Sequence, residues 1–534
     1  MEMLSRRWPL AVWFLFLARA FFYCAALPLW EGYDEWAHYA VVERMAFRGE
    51  PLVARDAPIG RDIAASLDLA PVPWECRYLP PPSLTHDDFW RLPAAERARR
   101  EALFRAIPPS FARQDAAGNL KAYEGLQGPL YGWLMTPLLW AAGSAHLATQ
   151  VLVLRCFGVA LVSLVIPLAF LIGRLVFGDD AVALGCAAIV AVMPEFLIDI
   201  ARVGNDGVAA LLFTLAIWLS LEVLRDGLTR SRALALGFVL GAGLLAKAYF
   251  LTALPPVAAL LLWKCRRPRA LLVPTVACAV SGWWYIRNFL TTGTLTGMWE
   301  SALLPHDAGL GAQLRQVARI PWRVAIDSIL FSHLYLGAWS SLTVRSWMYH
   351  LLYLLIALAA IGLVLPRRRS FDPQPMALLA GLFIAFWLGQ LYHVIPMFSI
   401  WGIPTSLGCY LYAVAAAEVA LCVGGLRALA PGAARRYVAP AGVALFALLD
   451  LYTIHMIAIP YYTGLIAHRP NGPVATFHPA GADLGETLTR LTAFKSSWLG
   501  EPLMASLWIV YVAATLGLVA ISFRLRPGNG GIRR

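Results

Sequence analysis

The chain has 534 residues, of which 59% are hydrophobic and only 14% charged, with a net charge of +12 and a mean hydropathy of +0.63. A soluble globular protein carries roughly 25% charged residues, so these values exclude an ordinary soluble enzyme, along with disorder, collagen, disulfide scaffolds and repeat solenoids. The apolar residues fall in separated runs near the roughly 20 that a helix needs to cross the hydrocarbon core, which reads as an all-α polytopic membrane protein.

In chain order, twelve spans are predicted, near residues 8 to 29, 150 to 173, 181 to 199, 207 to 224, 232 to 248, 249 to 263, 270 to 289, 347 to 365, 375 to 396, 404 to 427, 437 to 459 and 501 to 523. With the N-terminus inside, short cytoplasmic segments hold Arg6 and Arg7, Arg174, the Arg225 to Arg232 loop, Lys264, Arg266, Arg267 and Arg269. They also hold Arg367 to Arg369, Arg427 to Arg436 and the tail from Arg524, close to half of the 44 Lys and Arg in all. This is the positive-inside signature. It assigns the basic balance to topology and argues against nucleic acid as a partner. The first apolar run is expected to be a signal anchor rather than a cleaved signal peptide. Two further apolar stretches, 129 to 145 and about 325 to 343, are expected to lie in the outer interface, because counting either one as a span would invert the arginine clusters.

The expected divisions are a first span (1–29), an extracytoplasmic loop with juxtamembrane helices (30–145), a catalytic core of spans two to seven (146–290) and a second outer loop (291–346). Spans eight to eleven (347–459), a third outer loop (460–500) and a last span with its tail (501–534) complete the chain. The first outer loop is far longer than a connector requires and is studded with Trp30, Trp36, Trp74, Trp90, Phe89, Phe104 and Phe111. Only Cys76 of the eight cysteines lies in a long outer loop, so no disulfide can close within it, and no CxxC metal motif exists.

The loop opens with Trp30-Glu31-Gly32-Tyr33-Asp34-Glu35-Trp36-Ala37-His38. Asp34 and Glu35 followed by His38 put carboxylate and imidazole on one face of a short helix, where a base or metal ligand could meet a lipid-borne substrate. The competing reading is helix capping and charge–dipole stabilisation. Arg202-Val203-Gly204-Asn205-Asp206-Gly207 forms a second acidic point on the same face, with Asp199 nearby, and there too an N-cap is the plain alternative. Lys247 and Arg287 stand outside against the positive-inside bias, and cations so placed suit an anionic group such as a phosphate; snorkelling to headgroups is the alternative. Tyr123-Glu124-Gly125-Leu126-Gln127-Gly128-Pro129-Leu130-Tyr131 leads into the first interfacial helix. His393, His455, His468 and His478 lack ligand spacing. No phosphate-cradling glycine loop and no Asp-x-Asp triplet is present, so a sugar donor would have to be lipid-borne.

The order and sidedness of these landmarks resembles the polytopic membrane glycosyltransferases of the GT-C class, which include protein O-mannosyltransferases and bacterial aminoarabinose transferases of lipid A. The resemblance covers nearly the whole chain and is weakest over 371 to 534. It implies a multi-pass protein of the bacterial inner membrane with both termini cytoplasmic and an outward-facing site. The implied reaction is inverting transfer of a sugar from a polyprenyl-phosphate donor to a hydroxyl of a lipid, glycan or protein acceptor.

By position, the family's catalytic acid falls on Asp34 with Glu35 adjacent, and its second acid on Asp206. Lys247, Arg287 and Arg202 would hold the phosphate. His38, Asn205, Tyr123, Glu124 and Gln127 would complete the substrate contacts. A divalent metal shared by Asp34 and Asp206 is left open. Cations near Asp34 are expected to keep it ionised. One departure stands out: Gly408-Cys409-Tyr410 replaces the Gly-Arg-Tyr common in bacterial relatives. A polymerase or ligase using polyprenyl-linked glycans and a secondary transporter are the rival readings; the transporter is disfavoured because the charges collect at the outer surface rather than at the midplane.

Overall fold

The computed structural model describes residues 7–265, 268–298, 310–365, 371–470, 472–480 and 483–524. Arg6, Arg266, Arg267, Arg367 to Arg369, the tail beyond Arg524 and part of the expected 291–346 loop lie outside the described residues.

The apolar runs become helices. Eight are each long and apolar enough to cross a membrane: Arg7–Ala26, Leu147–Phe177, Asp206–Asp226, Ser346–Val364, Pro373–Trp401, Gly408–Leu429, Gly432–Tyr462 and Glu501–Arg524. A ninth candidate is the pair Asp180–Val192 and Pro194–Ile200, bent by 62°. Three of the twelve expected spans fall on helices outside this count. Arg230–Ala246 has 17 residues and Leu254–Lys264 has 11, both short for a bilayer, while Leu272–Thr292 ends in the aromatic and polar run Trp283 to Asn288. Length and composition thus support eight or nine crossings among the described residues and do not confirm the other three.

The two stretches expected in the interface are short helices. Leu130–Ala141 has 12 residues with Pro137 inside, and Trp322–Leu334 has 13. At 1.5 Å per residue each reaches only about 18 to 20 Å, too little for a core of about 30 Å.

The segment 30–145, expected to be the first outer loop, is an ordered module. Helices Glu35–Arg48, Arg61–Leu69 and Ala94–Arg105 pack with a two-residue parallel ladder, Pro71–Val72 against Leu84–Thr85. Its aromatic residues explain the order: Trp30, Trp36, Tyr39, Phe89 and Phe104 are buried in one core with Met135 and Leu139 of the Leu130–Ala141 helix and Leu147 and Leu154 of the following span. The loop is therefore fastened to the membrane helices by the same apolar side chains that distinguish it from a disordered connector.

Charges inside the helical body are paired. Arg19 of the first span donates to Asp450 at 2.6 Å and to Thr515 at 2.9 Å, and Tyr23 and Tyr511 both donate to the same carboxylate. Both members of this ion pair are fully buried, which ties the first span to the Gly432–Tyr462 and Glu501–Arg524 helices.

Candidate active site

Pro194 shapes the site. A residue before proline is driven out of the helical region, and Met193 is extended (φ −67°, ψ 116°). The chain bends there, runs one short helix to Ile200 and turns through residues 201–205 before Asp206 opens the next span. The bend gathers Asp199, Arg202 and Asp206. Arg202 donates to Asp199 at 2.8 Å, to Asp206 at 2.5 Å and to the Tyr33 carbonyl at 2.7 Å. It therefore binds the turn to the residue just before Asp34.

Lys247 arrives from another direction. The Arg230–Ala246 helix stops at Lys247, whose backbone is extended (φ −158°, ψ 139°), and its ammonium pairs with the second oxygen of Asp206. The ring of Tyr410 lies 4.5 Å from the Lys247 nitrogen, a cation–π distance. The segment carrying Tyr123 and Glu124 approaches the same place because Gly128 sits against the Leu245 carbonyl, where a Cβ would collide.

Asp34 occupies the N-cap position of Glu35–Arg48 in the left-handed region (φ 53°, ψ 21°) and makes no side-chain cap bond. Only a few per cent of non-glycine residues have positive φ, and such strain is characteristic of functional positions. One carboxylate oxygen accepts from the Tyr123 hydroxyl at 2.6 Å. The other has no hydrogen bond among the described residues, and the residue is half-buried. Asn205 likewise stands at an N-cap position with no side-chain cap bond; its amide donates to the Ala246 carbonyl at 3.1 Å, and its buried Oδ1 has no partner. Capping explains neither side chain.

Burial pushes the Asp34 carboxyl upward. The Tyr123 bond, Arg202 and Lys247 oppose this, and the net direction is up. Arg202 and Lys247 still favour the ionised form, as expected, although each is also paired with Asp206 and Arg202 with Asp199 as well. Burial and Asp34 push Glu124 to about 8. His38, 3.5 Å from Glu124, is held well below its ordinary value by burial and then by Arg202 and Lys247. Both shifts favour the uncharged form of each group.

Two residues of the expected set do other work. Glu35 is fully buried and receives Arg155 on both oxygens, at 2.7 and 2.6 Å, as well as the Val203 amide at 2.9 Å. Arg155 also donates to the carbonyls of Leu27 and Pro28. Glu35 thus has no free oxygen for a substrate; it fixes the turn that carries Asp34. Arg287 donates to the neighbouring Asn288 at 3.4 Å and lies 5.0 Å from the Trp284 ring, with no ion pair to the Asp34 cluster. A metal between Asp34 and Asp206 does not fit these residues. Asp206 gives one oxygen to each cation, and no three His, Cys, Asp or Glu among the described residues are grouped to hold a metal.

Beside the cluster lie two spaces. His38, Glu124, Gln127, Asn205 and Trp284 border a small cavity. An apolar groove starts at Lys247, Gln127 and Tyr410 and runs along Tyr249, Phe386 and Pro396 between membrane helices. The sequence reading missed the contributions of the Tyr33 carbonyl and the Tyr410 ring; Tyr410 was within sight, two residues after Gly408, but no spacing ties it to Lys247.

Residues 127–285, under a third of the chain, match the family of dolichyl-phosphate-mannose-protein mannosyltransferases. The match takes in Gln127, Arg202, Asn205, Asp206 and Lys247, whereas Asp34 and Glu124 precede it. Among solved structures, the chain is similar to ArnT from Cupriavidus metallidurans bound to undecaprenyl phosphate, at 12% identity and a TM-score of 0.44, covering 98% of this chain and 75% of that one. It is also similar to the oligosaccharyltransferase AglB from Archaeoglobus fulgidus, at 14% identity and a TM-score of 0.37, covering 99% of this chain and 57% of that one. No curated protein sequence matches the chain.

Proposed function

We propose that this protein is a GT-C membrane glycosyltransferase that moves a sugar from a polyprenyl-phosphate donor to an acceptor hydroxyl on the extracytoplasmic face, with inversion. The observation that carries the reading is the free oxygen of Asp34, set beside cations that stand at the head of an apolar groove. A polyprenyl tail needs only such a groove, and its phosphate needs a cation at the mouth. The matched family's name specifies a lipid-phosphate sugar of this kind.

In this mechanism Asp34 accepts the proton of the acceptor hydroxyl through its free oxygen while Tyr123 fixes the other. The acceptor oxygen forms the new bond to the anomeric carbon as the bond from that carbon to the phosphate oxygen breaks on the opposite face. Polyprenyl phosphate leaves with the electron pair. Lys247 meets the developing charge, and Asp206, joined to Lys247 and Arg202, keeps those cations in place before the donor arrives, so little reorganisation accompanies the reaction. Glu124 and Gln127 present hydrogen-bonding groups to the sugar.

The test is turnover of the purified full-length protein with a panel of radiolabelled polyprenyl-phosphate sugars and a crude extract of envelope lipids and glycans, wild type against Asp34→Asn. Transfer by wild type alone supports both chemistry and base. Transfer that survives Asp34→Asn removes Asp34 as the base, and no transfer from any donor overturns the reading.

A further inference from the structure

Away from the Asp34 cluster, a second pair of acids is enclosed without donors. Glu43 lies on the Glu35–Arg48 helix and Asp62 in the first turn of Arg61–Leu69, and they are 0% and 3% exposed. Their carboxyl groups meet at Gly60, where a Cβ would collide with an oxygen of each. Neither oxygen of Glu43 has a hydrogen-bond partner among the described residues. Asp62 is the better seat for a negative charge, because one of its oxygens accepts the Ile63 amide at 2.9 Å.

The groups that face this pair are engaged elsewhere. On the helix of Glu43, Tyr39 gives its hydroxyl to Gln150, Arg44 pairs with Glu50 and Asp115, and Arg48 pairs with Asp115. Neither arginine forms an ion pair with Glu43 among the described residues. From the turn before Leu147, the ring of His146 binds the Phe104 carbonyl and the Ala148 amide. Burial first and Asp62 next push the Glu43 carboxyl well up, with Arg48 and Arg44 opposing. Two carboxylates so enclosed repel each other, whereas one protonated carboxyl supplies the donor that the pair lacks.

We propose that Glu43 and Asp62 share one proton, Glu43 donating to Asp62, and that loss of this proton in alkaline surroundings loosens the Arg61–Leu69 helix from the helix headed by Asp34. The same short helix also holds Trp30, whose indole donates to Ser66 at 2.9 Å. It thus grips the chain four residues before Asp34 and again at Glu43, so the pair governs how firmly the Asp34 turn is backed. The sign follows from linkage. Near pH 4.5, the ordinary value of the group, the open and closed forms both begin to hold the proton; at higher pH, opening releases it, and closure weakens as pH rises.

The experiment is hydrogen–deuterium exchange of the detergent-purified full chain at about pH 6 and about pH 9, read on peptides covering 61–69 and corrected for the intrinsic exchange rate. In wild type the protection of these amides is expected to fall by at least about tenfold, the change that one pH unit of linkage produces. Glu43→Gln, whose amide donates to Asp62 without titrating, is expected to keep its protection at both pH values, and Glu124→Gln to show the wild-type loss. Constant protection in wild type, an equal loss in Glu43→Gln, or abolition of the loss by Glu124→Gln each overturns the proposal. If Glu43→Gln does not fold, Asp62→Asn gives the second reading. Its amide can donate to an ionised Glu43, so the loss must shrink, and an undiminished loss overturns the pair.

Discussion

Two buried charge clusters divide the labour of this molecule, and they differ in one respect. Around Asp450, every carboxylate oxygen is taken by Arg19, Tyr23 or Tyr511, and the ion pair is sealed from solvent. Around Asp206 the cations are equally well paired, but the cluster borders an open groove and leaves Asp34 one oxygen and Asn205 one acceptor without partners. A closed network can only hold helices together; an open one has capacity for a substrate. Unsatisfied polar atoms, more than charge itself, separate the two.

The sharpest way to break this distinction is to exchange the consequences. Asp34→Asn should lower turnover by about 10²- to 10⁴-fold, the usual scale for losing a general base, with little change in thermal stability, because Asp34 leaves an oxygen unbonded and makes no cap. Arg19→Met should do the reverse: removing one member of a buried pair costs about 3–5 kcal/mol, read as a lowered Tm or loss of the monodisperse peak in detergent, with turnover per folded molecule retained. An inactive but fully stable Arg19→Met would show that the closed cluster takes part in chemistry. Of smaller effect, Lys247→Gln should raise the donor KM by about 10- to 100-fold, the scale of a hydrogen bond to a charged group, and Tm should rise or hold only if the unpaired Asp206 keeps Arg202.

Much of this was legible in the sequence. The helical membrane class follows from composition, and Asp34, Asp206 and Lys247 could be singled out because ionisable groups near the membrane are costly. What could not be read was partnership. Asp34 and Glu35 are adjacent and chemically alike, yet one faces Tyr123 and the other is spent on Arg155, 120 positions away; only the left-handed backbone at Asp34 sends the two side chains apart. Arg202 and Lys247 looked like free phosphate ligands, and their pairing with Asp206 depends on the bend at Pro194 and the helix end at Lys247. The count of twelve spans is not confirmed for a different reason: the helices around Lys247 are short, and hydropathy alone treats a short helix and a crossing alike.

Glu124 gives the finest test of the open cluster, since its state depends on being enclosed with Asp34 rather than on any ion pair. Burial first, and Asp34 next, raise it from 4.5 to about 8, with Lys247 opposing. Between those two pH values the folded protein holds a proton that the unfolded chain has released, so stability falls as pH rises through the window and levels off above about pH 8. Glu124→Gln, which stays neutral, should remove that portion of the slope and be relatively more stable than wild type at the alkaline end, while matching it near pH 4.5. Melting curves in detergent at several pH values across the window check this directly. Parallel slopes for wild type and variant would mean that Glu124 is ionised alongside Asp34, and the cavity with His38 would then be charged rather than built to offer neutral hydrogen bonds to a sugar.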